Sequence, residues 1–154
     1  MNDDCTEQKN VPHNKMGFPK HGEASTYSDF FQGKTTSNGD TYNHEKYTAA
    51  LLPKSRWHAL HMGTLLKLTY HGRKVVVKVN DRGAGKIVDG HADGSRVLDL
   101  SRAAYAYLIG KKVTEVTDDN AGVIQLDDIK IVPPTTRLGR CIEPEKPITP
   151  VRSK

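Results

Sequence analysis

The sequence predicts a mainly β protein, either a barrel or a sandwich, and three features lead to that fold class. Two neighbouring stretches alternate apolar and polar residues, segments rich in glycine, asparagine, aspartate and threonine separate the short apolar stretches, and one helix is well marked. Alternation with a period of two residues is typical of half-buried strands. Short strands, many turns and a single helix together indicate a barrel or a sandwich.

A hairpin is the clearest element, in the sequence TLLKLTYHGRKVVVKVN. On its first strand Leu66, Leu68 and Tyr70 share one face, and alternate valines share a face of the second strand. His71 and Gly72 predict a two-residue turn between these strands, because glycine tolerates a positive φ. Further strands are predicted in ASTY, in YTAALL and in GVIQLDDIKIV, the last as a single strand.

The helix is predicted in LDLSRAAYAYLIGKK, where Ser101 is a suitable N-cap residue. Alanines and a leucine fill its body, Gly110 ends it, and Lys111 and Lys112 lie near the negative end of its dipole. The stretch PKSRWHALHMG predicts a shorter helical turn that ends at Gly63.

The chain divides into three predicted segments. Its 154 residues suffice for one domain with one hydrophobic core. Composition and periodicity predict a polar tail at 1–21, the domain at 22–132 and a proline-rich arm at 133–154. No stretch is apolar enough to span a membrane, and no signal peptide is visible. The lack of a visible signal peptide is compatible with a cytosolic chain, with a trimmed chain and with export by a signal-independent route.

The net charge, the cysteines and the histidines of the sequence limit the partners and metal sites to be expected. The net charge of +5 favours polyanions such as nucleic acid, anionic lipid or acidic cell-wall polymers, or belongs to a protein that is simply basic. The lysines and arginines are scattered, so nucleic-acid binding is not favoured. Cys5 and Cys141 form no CxxC pair, and both a disulfide between them and two free thiols stay open. His58 and His61 are a weak metal-binding pattern, so we expect no metal and no cofactor.

Three aspartates in polar loops or at strand ends are candidates for acid–base chemistry. Asp81 follows the valine strand directly, which would hold a catalytic carboxylate rigidly; capping a turn is the alternative. Asp99 lies between Leu98 and Leu100, so we expect desolvation to raise the pKa of its carboxyl and the nearby helix N-terminus to lower it. A structural role for Asp99 is the alternative. Asp40 lies in SNGDTY.

The order of these motifs resembles that of a known family. GEASTYSDFFQGKTTSNGDTYN, TAA, GTLLKLTYHGRKVVVKVNDRG and RVLDLSRAAYAYL follow one another within residues 22–132. This order is similar to that of the RlpA-like (rare lipoprotein A) family, whose double-psi β-barrel is shared by barwin and the expansins. The resemblance implies a mainly β, six-stranded double-psi β-barrel with one or two short helices, irregular terminal arms and an open groove.

The resemblance also implies an activity. RlpA-type proteins are lytic transglycosylases that cut peptidoglycan between MurNAc and GlcNAc and leave a 1,6-anhydro end. One carboxyl group protonates the glycosidic oxygen and then accepts the proton of the MurNAc 6-hydroxyl as that group attacks C1. A nearby carboxylate would stabilise the oxocarbenium-like transition state. The implied partner is peptidoglycan or another cell-wall polysaccharide, met in the periplasm, at the cell wall or outside the cell, and the expected state is a monomer.

The family's site residues carry over by position. Asp81 matches the aspartate of NDRG, and Asp99 matches that of LDLS, the acid position in expansins and related barrels. Asp40 stands where RlpA proteins usually carry glutamate, Asn43 stands in place of an aspartate, and Leu51 in place of the histidine after TAA. The implied catalytic residues are Asp81, Asp99 and Asp40. The residues expected to contact the glycan are Arg82, Tyr42, Asn43, Trp57, His58, His61 and Tyr27, with His58 or His61 as a replacement for the family histidine.

Two other functions stay open. A non-catalytic, expansin-like glycan-binding module would use the aspartates to bind sugar hydroxyls, with Trp57, Tyr42 or Tyr27 stacking on sugar rings. An exported antibacterial effector or a phage-associated lysin is suggested by the missing signal peptide, and it differs from the enzyme in delivery more than in chemistry.

Overall fold

The computed structural model describes residues 22–51, 61–82 and 96–141. These residues form eight strands, one α-helix and two 3-10 turns at Asp29–Phe31 and Val113–Glu115. The strands are β1 (Gly22–Thr26), β2 (Thr48–Leu51), β3 (Leu65–Tyr70), β4 (Arg73–Arg82), β5 (Arg96–Leu100), β6 (Ile124–Leu126), β7 (Asp128–Val132) and β8 (Gly139–Arg140), and helix α1 is Arg102–Leu108. The prediction of a mainly β protein is confirmed.

The strands form one mixed sheet that closes on itself. Their order is β6-β1-β5-β2-β4-β3-β7, and β8 pairs with β4. The pairs β1–β5 and β2–β4 are parallel, and the other pairs are antiparallel. Strands β6 and β7 lie at opposite ends of this order but are separated only by Asp127, so the chain itself brings the two ends of the sheet together.

The predicted last strand is two strands in the structure. Leu126 pairs with Gly22 of β1, whereas Asp128 pairs with Thr69 of β3. Asp127 forms the corner between them: its N–H donates to the carbonyl of Thr69, and its carboxylate accepts from the N–H of His71 at 2.7 Å. This division, together with the two-residue β8, raises the strand count of the described residues from the expected six to eight.

The alternation predicted for the hairpin is confirmed. Val75, Val77 and Val79 all lie in the main hydrophobic core, where Leu66 and Leu68 of β3 also pack. Val76 points to the other face and packs in a second cluster with Leu65, Val132 and Cys141. The turn at His71 and Gly72 has φ values of 48° and 85°, and positive φ at both positions is the geometry of a type I′ hairpin turn.

The helix begins and ends where the sequence predicts. The Ser101 hydroxyl accepts a hydrogen bond from the Ala104 N–H at 3.4 Å, as an N-cap does, and it also accepts from the Thr48 N–H at 3.1 Å. Gly110 follows the helix with φ 78°, a conformation that glycine adopts without strain. Ser101 therefore caps the helix and ties it to β2 at the same time.

Replacing Ser101 with alanine is expected to lower the free energy of unfolding by about 1–3 kcal/mol, because the cap is lost and the half-buried Thr48 N–H loses its acceptor. Urea unfolding followed by circular dichroism measures it. Ser28→Ala is the matched control, since Ser28 precedes the first 3-10 turn and its side chain makes no cap hydrogen bond. Equal stability of the two variants would contradict the dual role of Ser101.

The sheet includes residues beyond the predicted domain boundary at residue 132. Residues 139–140 form β8 against β4, and Cys141 is disulfide-bonded. Cys5, the other cysteine of the sequence, lies outside the described residues, as do most residues of the helical turn predicted at 53–63. The division into tail, domain and arm stays a prediction.

Candidate active site

An irregularity in β4 determines which way Asp81 faces. Ala49 pairs with Val79, but the next residue of β2, Ala50, pairs with Asp81, so Asn80 is an extra residue on β4. A bulge of this kind re-aims the side chains that follow it. Ala49 and Val79 lie in the main core, whereas Ala50 packs in a separate cluster with Tyr27 and Tyr42. Asp81 therefore shares the face of Ala50, opposite the core.

Asp81 and Asp99 lie on one row across the sheet. Ala50 pairs with Asp81 on one side and with Asp99 on the other, and Asp99 pairs in turn with Ser25 of β1. Paired residues on neighbouring strands present their side chains to the same face. With strands about 4.8 Å apart, the Cα atoms of the two aspartates are separated by roughly 10 Å. The two carboxylates thus flank the small side chain of Ala50.

The carboxylate of Asp81 is held by hydrogen bonds from three segments. Its Oδ1 accepts from the N–H and hydroxyl of Ser37 and from the Arg82 N–H, and its Oδ2 accepts from the Tyr27 hydroxyl at 2.6 Å. All of these groups donate, which matches an ionised carboxylate because that group only accepts. These contacts fix the orientation of Asp81 on the row.

Asp99 is half-buried on the same row. Its Oδ1 accepts a hydrogen bond from the Ser25 hydroxyl at 3.0 Å. Leu98 and Leu100 pack in the main core, on the face opposite Asp99. These two leucines therefore do not cover the Asp99 carboxylate, because adjacent residues of a strand point to opposite faces. The expected shift in the pKa of Asp99 stays a prediction.

Two stacked tyrosines cover Ala50. The rings of Tyr27 and Tyr42 are parallel, with centroids 4.1 Å apart, and both side chains are buried. Burial, and then the neighbouring Asp81 carboxylate, raise the pKa of Tyr27 above its ordinary 10.0, so the Tyr27 hydroxyl keeps its proton and donates a hydrogen bond to Asp81. Burial likewise raises the pKa of Tyr42. Neither ring has an exposed face for a sugar, so the structure contradicts the predicted stacking role of Tyr27 and Tyr42.

A polar network continues from Tyr42 to helix α1. The Tyr42 hydroxyl lies 2.7 Å from Nδ1 of His44, and Nε2 of His44 lies 2.9 Å from the Asp29 carboxylate. Arg102, at the start of α1, is buried; it donates to the carbonyls of Tyr27 and Val116 and to the carboxylates of Asp29 and Asp118. This network fixes the segment that carries Tyr27.

Asp40 lies beside β4 rather than on the row. Its carboxylate accepts from the Asn80 side chain at 3.2 Å and lies 3.5 Å from Nζ of Lys78. Hydrogen bonds from Asn80 and Asn38 lower the pKa of Asp40 below its ordinary 3.8. Asn80 directly precedes Asp81, so Asp40 is placed near the row as a partly exposed anion.

The predicted glycan contacts are dispersed. Arg82 is half-buried, and its N–H donates to Asp81 and to Ser37. The Asn43 side chain accepts from the Glu45 N–H at 2.8 Å and so stabilises a turn, and His61 is exposed in a turn whose carbonyl accepts from Thr64. Trp57 and His58 lie outside the described residues.

Some residues of the site carry no recognisable sequence signal. Ser25 contacts Asp99, Ser37 contacts Asp81, and Arg102 contacts the carbonyl of Tyr27. Each of the three is an ordinary polar residue whose partner lies far along the chain. Phe30 and Phe31, which appear in the sequence as the pair FF in a polar loop, are adjacent aromatic residues with 68% and 40% exposure, and their rings contact each other edge to face.

Among the residues that the structure describes, no helix is long and apolar enough to cross a bilayer. No group of three or more histidine, cysteine, aspartate or glutamate side chains among them is arranged to hold a metal ion.

Comparison with known families identifies the class of protein. The sequence matches the family described as lytic transglycolase over residues 20–127, and the chain belongs to that family. Its closed mixed sheet is a double-psi β-barrel, as the resemblance to RlpA-like proteins implied.

Several similar proteins are named endolytic peptidoglycan transglycosylase RlpA. The endolytic peptidoglycan transglycosylase RlpA of Campylobacter jejuni is 41% identical over 91 residues, which are 58% of this chain and 28% of that protein. RlpA of Pasteurella multocida is 39% identical over 115 residues, 72% of this chain and 34% of that protein. RlpA of Vibrio cholerae is 37% identical over 116 residues, 74% of this chain and 39% of that protein. The chain thus spans about a third of the length of these relatives.

Solved structures are more distant. An expansin of Clavibacter michiganensis is 28% identical, with a TM-score of 0.47 over 73% of this chain and 49% of that chain. A Streptomyces papain inhibitor is 20% identical, with a TM-score of 0.44 over 75% of this chain and 94% of that chain.

Proposed function

We propose that the protein is a lytic transglycosylase that cleaves the glycan strand of peptidoglycan, in the periplasm, at the cell wall or outside the cell. The observation that carries the proposal is the row on which two half-buried carboxylates, Asp81 and Asp99, flank Ala50 on the face of the sheet opposite the main core. Membership of the lytic transglycolase family and the description of the RlpA relatives support the same reaction.

Asp99 is the proposed acid and base. Its carboxyl group protonates the glycosidic oxygen as the bond from C1 to that oxygen breaks. The resulting carboxylate then takes the proton of the MurNAc 6-hydroxyl as the hydroxyl oxygen bonds to C1, which closes the 1,6-anhydro ring and restores the acid. The Ser25 hydroxyl, which donates to Oδ1 at 3.0 Å, orients the carboxyl during both transfers.

Asp81 and Asp40 have different proposed roles. The donors around Asp81 hold it as a fixed anion on the row, where it stabilises positive charge that develops on the sugar ring. The lowered pKa of Asp40 also favours its anionic form, which suits it to the same electrostatic task rather than to donating a proton. The Tyr27 hydroxyl positions Asp81.

Incubation with purified sacculi tests the proposal. Mass spectrometry of the soluble products is expected to show muropeptides with 1,6-anhydro ends. Absence of any soluble muropeptide from about pH 4 to 8 would overturn the proposed enzymatic function, since this range spans the protonation states of ordinary carboxyl groups.

A glycan-binding module is the second candidate, and the exposed pair Phe30 and Phe31 favours it. Exposed aromatic rings offer the apolar face that sugars stack on, and Lys34 lies 4.6 Å from the Phe30 ring. Retention of the protein on insoluble sacculi without release of any product would favour this function over the enzyme.

A further inference from the structure

A cavity opens where β1 and β6 part. These strands pair from Gly22 to Ala24, opposite Leu126 to Ile124, and the ladder ends there. Beyond the last pair, residues 25–28 on one side and 121–123 on the other enclose a cavity of about 280 Å³. Arg102 and Asp118 complete its wall.

The cavity adjoins the proposed active site through one residue. Ser25 forms part of the cavity wall, and its hydroxyl donates to the Asp99 carboxylate. Ser25 is also the β1 member of the row that carries Asp99 and Asp81. A polymer whose bond is placed at Asp99 can therefore continue into the cavity.

The wall combines apolar and polar surfaces. Ala121 and Val123 are apolar, and Val123 is half exposed. The other lining residues include Thr26 at the end of β1, Ser28 just beyond it, and Asp118. The edge of a strand presents backbone N–H and C=O groups in a row. Such a wall suits a ring with one apolar face, several hydroxyls and an amide.

We propose that this cavity binds an N-acetylated sugar residue of the glycan strand, next to the bond that Asp99 cleaves. The N-acetyl amide lies along the edge of β1, in the position that β6 would occupy if the ladder continued, and the ring packs on Ala121 and Val123. The volume is just below the range of about 300–1,000 Å³ usual for ligand pockets, so it accommodates one sugar and not several. This inference rests on the proposed function.

Gly122 offers a way to fill the cavity. It forms part of the wall, no atom lies within 4 Å of the position a Cβ would take, and its φ lies outside the left-handed region. Its N–H donates to the Tyr105 hydroxyl at 2.8 Å, a bond that any side chain at this position retains. Gly122→Trp therefore adds bulk at the cavity without backbone strain, and Gly122→Ala is the matched control.

The test is binding of tri-N-acetylchitotriose, a chain of three N-acetylated sugars that lacks the lactyl group and the peptide stem of MurNAc. Titration calorimetry is expected to show binding to the wild-type protein and to Gly122→Ala, and affinity at least about tenfold lower for Gly122→Trp. The de-N-acetylated trimer is expected to bind at least about fivefold more weakly than the acetylated one. Thermal melting of each variant shows whether it is folded, and Thr135→Trp, at an exposed turn, controls for added bulk elsewhere.

Three results would overturn the inference: equal affinity of folded Gly122→Trp and Gly122→Ala, equal affinity for the two trimers, or a peptide stem that displaces the acetylated trimer. Binding of the trimer does not depend on cleavage. A protein that binds it in this pattern but leaves sacculi intact would retain the cavity assignment and lose the proposed reaction. A protein that releases anhydro products but binds both trimers equally would retain the proposed reaction and lose the cavity assignment.

Discussion

Replacing Asp99 with asparagine is expected to lower the rate of muropeptide release from sacculi by about 10²–10⁴-fold. Asparagine keeps the size of the side chain and its oxygen still accepts from the Ser25 hydroxyl, but it neither supplies nor takes up the proton that the reaction requires. The measurement is the initial rate of release of soluble products at equal protein concentration, with melting temperature as the check on folding.

Asp128→Asn is the matched control for this loss. Asp128 is also a half-buried aspartate in a strand, on β7, where it lies 3.8 Å from Nζ of Lys130. Its replacement is expected to leave the rate within about twofold, since a solvent-accessible ion pair contributes little. A rate for Asp99→Asn within about threefold of the wild-type rate would exclude Asp99 as the acid.

Replacing Arg102 with methionine is expected to lower the free energy of unfolding by about 3–5 kcal/mol. Methionine fills much of the same space, but the carbonyls of Tyr27 and Val116 lose their buried donors, and Asp29 and Asp118 lose the cation between them. Urea unfolding measures the change. Arg140→Met, at an exposed arginine near the Tyr107 ring, is expected to change stability by about 1 kcal/mol or less.

The Arg102→Met substitution should also alter how the free energy of unfolding depends on pH in the acid range. The hydrogen bond from Arg102 holds the pKa of Asp118 below its ordinary 3.8. A carboxyl group with a lowered folded-state pKa stabilises the fold above its unfolded pKa, and that contribution disappears as the pH falls through the folded value. In Arg102→Met the unfolding free energy should therefore fall less steeply below pH 3.8. An unchanged slope, or an unfolding free energy close to that of Arg140→Met, would contradict the role assigned to Arg102.

The local features of the fold were predictable from the sequence because they depend on near neighbours. The alternating valines of β4, the turn at His71 and Gly72 and the cap at Ser101 each follow from a few adjacent residues. The division of β6 from β7 was not predictable, because it depends on Leu126 and Asp128 pairing with different, distant strands.

The geometry of the site was less predictable for the same reason. The sequence identifies Asp81 and Asp99 as candidates, but the bulge that turns Asp81 away from the core exists only because β2 pairs with β4 in a shifted register. Tyr27 and Tyr42 looked like sugar-stacking residues, because nothing local shows that they stack on each other. Arg102 meets the carbonyl of Tyr27 across 75 positions of sequence, a contact that no local pattern encodes.

The pairing of β1 has a consequence for how the chain folds. In the described residues β1 pairs only with β5 and β6, so its partners begin at residue 96. Strand β1 cannot pair until that part of the chain is available, whereas β3 and β4 can form their hairpin from adjacent residues. Contacts of such long sequence separation slow folding, typically to milliseconds or seconds. Until then β1 exposes its edges, and it is the strand most in need of protection from pairing with another chain.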